Sequence, residues 1–118
     1  MLSKHLVEQI ARVCYAAATT WDESHGADPA PAWEDADEAT VQSLTKRINV
    51  TLADPRGGDG TYHNTWVAEM RENGWCAGSD YDAKRKIDPQ MVQFHMLTPF
   101  QKARERMFRS IIIALSRV

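Results

Sequence analysis

Cysteine is scarce in this chain: two in 118 residues, Cys14 and Cys76. They lie far apart and without CxxC spacing, which gives no support to a cysteine-ligated zinc site or to thioredoxin-like redox chemistry. Cys14 falls on an apolar helical face and reads as a packing residue. Long apolar runs are missing too. No stretch approaches the roughly 20 residues that a membrane span needs. Lys4, His5, Glu8 and Arg12 interrupt the segment where a signal peptide would carry its apolar core. A reducing, cytoplasmic setting is the expectation. Excess charge of one sign is also absent. With 14 Lys+Arg against 16 Asp+Glu, the formal charge is −2, which argues against a dedicated nucleic-acid binder. His5, His25, His63 and His95 share no metal-ligand spacing, and His63 and Glu69 do not align on a helix as an HExxH pair would. No Ser-His-Asp arrangement can be argued. The expectation is therefore a protein with no metal site, no cofactor and no catalytic residues.

What is present suits one mainly α domain over residues 1–118, a length that buries a core without disulfide staples. Leu6, Ile10, Val13, Cys14, Ala17 and Trp21 recur at spacings of three and four, predicting a first helix from Ser3 to Thr20, capped by Ser3. The segment His25-Gly26-Ala27-Asp28-Pro29-Ala30-Pro31 is a loop. Asp35-x-x-Glu38 reads as a capping box opening a second helix, Ala36 to Asn49, with Val41, Leu44 and Ile48 as its apolar stripe. Gly57-Gly58-Asp59-Gly60 lacks the Lys-Ser/Thr of a phosphate-binding loop and reads as a linker. Tyr62, Trp66 and Met70 mark a third helix, Tyr62 to Glu72, stopped by Asn73-Gly74. The fourth starts with the clearest signal in the chain: Thr98 as N-cap, Pro99 at the first position and Gln101 completing a capping box. Lys102, Arg104, Arg106, Arg109 and Arg117 are spread around it, which reads as a solvated face.

Between the third and fourth helices lies a stretch of about 20 residues without helical periodicity, long for a compact domain and therefore functional or folded on itself. Short extended pieces are expected at Trp75–Ala77 and Met91–Phe94. The stretch holds Gly74-Trp75-Cys76-Ala77-Gly78, then Asp82, the basic run Lys84-Arg85-Lys86, and Pro89. Charge is distributed to match. Residues 1–60 hold 5 Lys+Arg and 10 Asp+Glu, whereas residues 61–118 hold 9 and 6, a positive second half. Two readings stand. In one, Trp75 and Trp66 form an aromatic platform, with Lys84, Arg85 and Lys86 for phosphates, Asp82 holding these cations in place or contacting a ribose hydroxyl, and His63 lining the pocket. In the other, both rings complete a small helical core, the basic run is a solvated loop and His63 is a surface or capping residue.

These motifs carry a family resemblance. Gly74-Trp75-x-x-Gly78, Asp82, Lys84-Arg85-Lys86, Pro89-x-Met91-Val92, Phe94 and Leu97-Thr98-Pro99 resemble the signature of the ryanodine-receptor repeat, the RyR domain. Ala11-Arg12-Val13-Cys14, Pro31-x-Trp33-Glu34-Asp35-Ala36, His63-x-x-Trp66-x-x-Glu69 and Met107-Phe108-Arg109 are similar to its short, single-copy bacterial and phage members. Ala77 stands where the family usually has Tyr, Asp88 where it often has His, and Gln90 where it often has Cys. The resemblance implies paired antiparallel helices with short β pieces and no catalytic activity. In the calcium channels the tandem pair forms a pseudo-symmetric unit that binds adenine nucleotide against the signature tryptophans. For this chain it implies a binding or regulatory module taking a nucleotide-like ligand at Trp75, with Asp82, Lys84, Arg85, Lys86, Pro89, Trp66 and His63 around it. It also implies a homodimer. The alternative is a structural or protein-interaction module with no small-molecule ligand.

Overall fold

A computed structural model describes residues 2–117, in the order α1 (Lys4–Ser24), a 3₁₀ turn (Trp33–Asp35), α2 (Glu38–Ala53), α3 (Thr61–Glu72), a second 3₁₀ turn (Phe94–Met96) and α4 (Pro99–Ser116). The mainly α expectation holds. Ser3 caps α1 by accepting the Leu6 N–H at 3.1 Å. The helix runs one turn beyond the expected Thr20, because no breaker intervenes before Gly26, whose φ is +97°. That extra turn is fastened by its side chains. Trp21 packs on His25 and Phe100, and Asp22 pairs with Arg104.

The start of α2 departs from expectation. Trp33–Asp35 is a separate 3₁₀ turn and Ala36 is extended, so Asp37 rather than Asp35 is the cap, accepting the Thr40 N–H at 2.8 Å. At its other end α2 continues past Asn49 to Ala53, because Thr51 and Leu52 stay in phase with Leu44 and Ile48. Asp54, ahead of Pro55, then leaves the helical region with φ −137° and ψ 68°, since a residue before proline disfavours the α conformation. The α4 capping box forms as read, with Thr98 and Gln101 each accepting the other's backbone N–H.

Ile10, Ala11, Cys14 and Ala18 of α1, Leu44 and Ile48 of α2, and Phe108 and Ile112 of α4 make one buried cluster. Each fully buried Ile is worth about 1.5–3 kcal/mol. The end of α1 meets the start of α4 through Asp22 and Arg104, so these two helices run antiparallel. Arg47 threads the α2–α4 boundary. Its guanidinium carbon lies 4.1 Å from the Tyr62 ring centroid and 4.2 Å from that of Phe108, and its Nη1 donates to Glu105 Oε1 at 3.0 Å. Lys46 of α2 pairs with Glu69 of α3. Val67, Met91 and Leu97 are buried outside the main cluster and anchor α3 and the segment that follows it.

The expected β pieces are smaller than read. Cys76 bridges Ile87 in parallel and Ile87 bridges Asp82 antiparallel, with no longer strand among the described residues. Met91–Phe94 is not extended pairing. Side chains from α3 satisfy its backbone instead: Asn64 Oδ1 accepts the Phe94 N–H, and His63 donates to the Val92 carbonyl.

Candidate functional site: the Trp75 turn and the polar clefts

The path of Trp75 is set at the end of α3. The Gly74 N–H donates to Arg71 O and the Trp75 N–H to Met70 O, both at 3.0 Å, which is a Schellman closure. It requires a left-handed residue, and Gly74 has φ +87°. From there the chain is pinned twice. Cys76 N donates to Lys86 O at 2.9 Å and Asp88 N to Cys76 O at 3.0 Å; Asp82 and Ile87 exchange both backbone hydrogen bonds at 2.9 Å. Gly78 lies against the Ile87 side chain so closely that a Cβ there would overlap it, which is why the second signature position carries no side chain.

Within this frame several candidate residues have structural tasks. Asp82 Oδ1 accepts the backbone N–H groups of Lys84 and Arg85 at 3.1 and 3.2 Å, closing the turn rather than binding their side chains. Lys86 has φ 57°, and its ammonium donates to Asn73 O at 2.9 Å, capping the last turn of α3. Pro89 is exposed and sits second in a turn that Asp88 closes, its backbone O accepting Met91 N and its Oδ1 accepting Gln90 N. The Lys84 and Arg85 side chains are exposed and make no ion pair or hydrogen bond among the described residues.

Trp75 is half-buried. Its ring meets Tyr81, with centroids 6.1 Å apart and planes tilted by 42°. Tyr81 is 63% exposed and was not singled out in the sequence. Its signal there is a lone aromatic in a polar run, with only alanines, Ala77 and Ala83, at helical or strand spacing. It supplies a ring beside Trp75 where Ala77 does not. Trp66 does not join this pair. It stays half-buried on α3 beside His63, with centroids 5.6 Å apart. His63 is buried, and because a carbonyl only accepts, its Nε2 carries the proton given to Val92 O at 2.7 Å.

Trp75, Asp82, Lys84, Arg85 and Lys86 line none of the five main clefts among the described residues. Two polar clefts instead flank the Asp22–Arg104 pair, in which Arg104 Nε and Nη2 donate to the two carboxylate oxygens at 2.9 Å. One, about 460 Å³, opens between α1, α2 and α4 and includes Arg47 and Phe108. The other, about 410 Å³, brings His63 and Gln90 to the first turns of α4. Arg104 is thus part of a partly buried ion pair rather than of a freely solvated face. Its sequence signal, and that of Glu105, is their phase with the buried Phe108. Among the described residues no group of three or more His, Cys, Asp or Glu could hold a metal ion, and no helix is long and apolar enough to cross a membrane.

The RyR domain family model matches residues 34–116, taking in α2, α3, the Trp75 turn and α4. The chain belongs to the RyR domain family. No curated protein and no solved structure matches it. In this RyR domain α1 precedes the matched residues, yet it supplies Ile10, Ala11, Cys14 and Ala18 to the buried cluster. The signature Gly-Trp-x-x-Gly is spent on closing α3 and seating Ile87, and the signature Leu97-Thr98-Pro99 on starting α4.

Proposed function

We propose that this chain is a non-enzymatic RyR-type binding module that takes a small nucleotide-like anion at the Trp75 turn. One observation carries the reading. A turn fastened by backbone pairs presents Lys84 and Arg85 without ion-pair partners, within four residues of Tyr81, whose ring pairs with that of Trp75. Stacking of a base on such rings is worth roughly 1–3 kcal/mol. The Arg85 guanidinium suits two phosphate oxygens at once. Asp82 and Lys86 then hold the turn in shape through their hydrogen bonds to backbone groups. Calorimetry with ATP, ADP-ribose and cyclic nucleotides tests this. Binding should weaken in Tyr81→Ala and in the Lys84→Ala/Arg85→Ala double variant, and the nucleotides should be recovered unchanged. Absence of heat up to millimolar nucleotide, or equal heat in folded variants, overturns it.

A second reading, a homodimeric interaction module, rests on the outer face of α1. There Val13 is 45% exposed beside Ala16, Ala17 and Thr20. A second copy of α1 would cover that face as an isologous contact. Light scattering at high concentration that finds only 13.4 kDa species removes it.

A further inference from the structure

We infer that the cleft between the end of α1, the first turns of α4 and the Gln90–Thr98 segment is a second binding site, for a small neutral molecule with a planar N–H-bearing head of the carboxamide or aminoheterocycle class. Its volume of about 410 Å³ lies within the roughly 300–1,000 Å³ typical of ligand pockets. Its lining contains two buried polar residues, His63 at 6% and Glu105 at 9% exposure.

The ligand chemistry follows from the polar atoms that remain uncommitted. His63 Nε2 donates to Val92 O, which leaves Nδ1 of the neutral ring as an acceptor with no partner among the described residues. Glu105 Oε1 is taken by Arg47, while Oε2 has no such partner. Neither atom is among the fully buried unpartnered ones, so both are open to the cleft and accept an N–H donor that enters it. Toward the exposed side the balance reverses. Gln101 spends its Oε1 on the Thr98 N–H and keeps its amide N–H₂ to donate, and the Gln90 side chain is uncommitted. Phe100, 36% exposed, offers a flat wall.

Charge decides between a cation and a neutral head. Asp22 is matched by Arg104 and Glu105 by Arg47, so the cleft carries no uncompensated charge that would repay burying an ammonium. A neutral –NH₂ beside a ring or carbonyl acceptor meets both sets of groups. Gln90 follows Pro89 and lies outside the Trp75 turn, so this site is independent of the one proposed above.

The test is an amide and imidazole NMR titration of the whole chain with nicotinamide, N,N-dimethylnicotinamide and adenine. Nicotinamide and adenine should shift the His63 ring nitrogens and the Gln101 side-chain amide. The dimethyl compound, without N–H donors, should bind about tenfold more weakly than nicotinamide. Gln90→Trp, a substitution at an exposed position of the rim, should abolish these shifts. Tyr81→Ala should leave them intact even if nucleotide binding at the Trp75 turn is lost. Shifts that map to Trp75 and Tyr81, equal binding of the dimethyl compound, undiminished binding to folded Gln90→Trp, or no shift with either N–H probe at millimolar concentration would each overturn the site.

Discussion

The helical cluster of α1, α2 and α4 and the turn from Gly74 to Ile87 are held together by different physics. The cluster buries Ile10, Ile48, Phe108 and Ile112 almost completely, and apolar area does the stabilising. The turn buries no side chain fully. It is held by paired backbone hydrogen bonds, one carboxylate accepting two N–H groups, and one lysine in a left-handed conformation. Area makes a scaffold tolerant of reshaped apolar side chains. Directional hydrogen bonds make a shape that leaves neighbouring side chains uncommitted. The second kind of region is where a binding surface is easiest to place, and the RyR signature lies there.

The contrast is broken first in the cluster. Ile48→Ala should cost about 4 kcal/mol in chemical denaturation, through lost transfer energy plus a cavity that closed packing cannot collapse. Next is the ion pair at the edge of the cluster. Arg47→Ala leaves Glu105 buried without its partner and removes the cation between two rings, costing about 3 kcal/mol. Replacing both, Arg47→Met with Glu105→Gln, should recover most of that loss; if it does not, ring contacts rather than charge dominate the site.

Cys14 extends the cluster's prediction to pH. Burial pushes its thiol from an ordinary 9.0 up to about 11, with nearby Arg47 pulling the other way. The folded state thus keeps its proton where the unfolded chain loses it. Stability present below pH 9.0 should fall as pH rises toward about 11, by up to about 2–3 kcal/mol if no other group intervenes. Cys14→Ala should flatten that part of the curve. Exposed Cys76 should meanwhile react with a thiol reagent under native conditions, and Cys14 only on unfolding.

How much of this was legible in the sequence follows the same division. The helices were readable because spacing of three and four, and the Thr98–Gln101 box, are local signals. The true α2 cap, Asp37, was hidden because the Trp33–Asp35 turn is stabilised by what Trp33 touches, including Tyr15 of α1. At the turn, sequence placed ring, cations and proline together, but not which of them are spent. Asp82 and Lys86 look like ligand groups until their hydrogen bonds to the backbone are seen. The Arg47–Glu105 and Asp22–Arg104 pairs join residues 58 and 82 positions apart, and no periodicity encodes such pairings.

Smaller effects then sharpen the turn's side of the comparison. Trp75→Ala should cost about 1–2 kcal/mol, below the 3–5 of a fully buried aromatic, because its ring is half-buried. A loss equal to that of Ile48→Ala would mean that the turn is core after all, and the contrast would collapse.

The smallest expected effect is the most discriminating. Tyr81 is 63% exposed, its hydroxyl makes no hydrogen bond among the described residues, and its ring lies tilted against Trp75. Tyr81→Ala should change stability by no more than about 0.5 kcal/mol, the range of an ordinary surface substitution. A core residue loses stability and function together when truncated, whereas a surface ring kept for recognition loses function alone. Unchanged melting with weakened nucleotide binding would therefore separate recognition from architecture at this turn. Unchanged melting with unchanged binding would leave Tyr81 without a role in either.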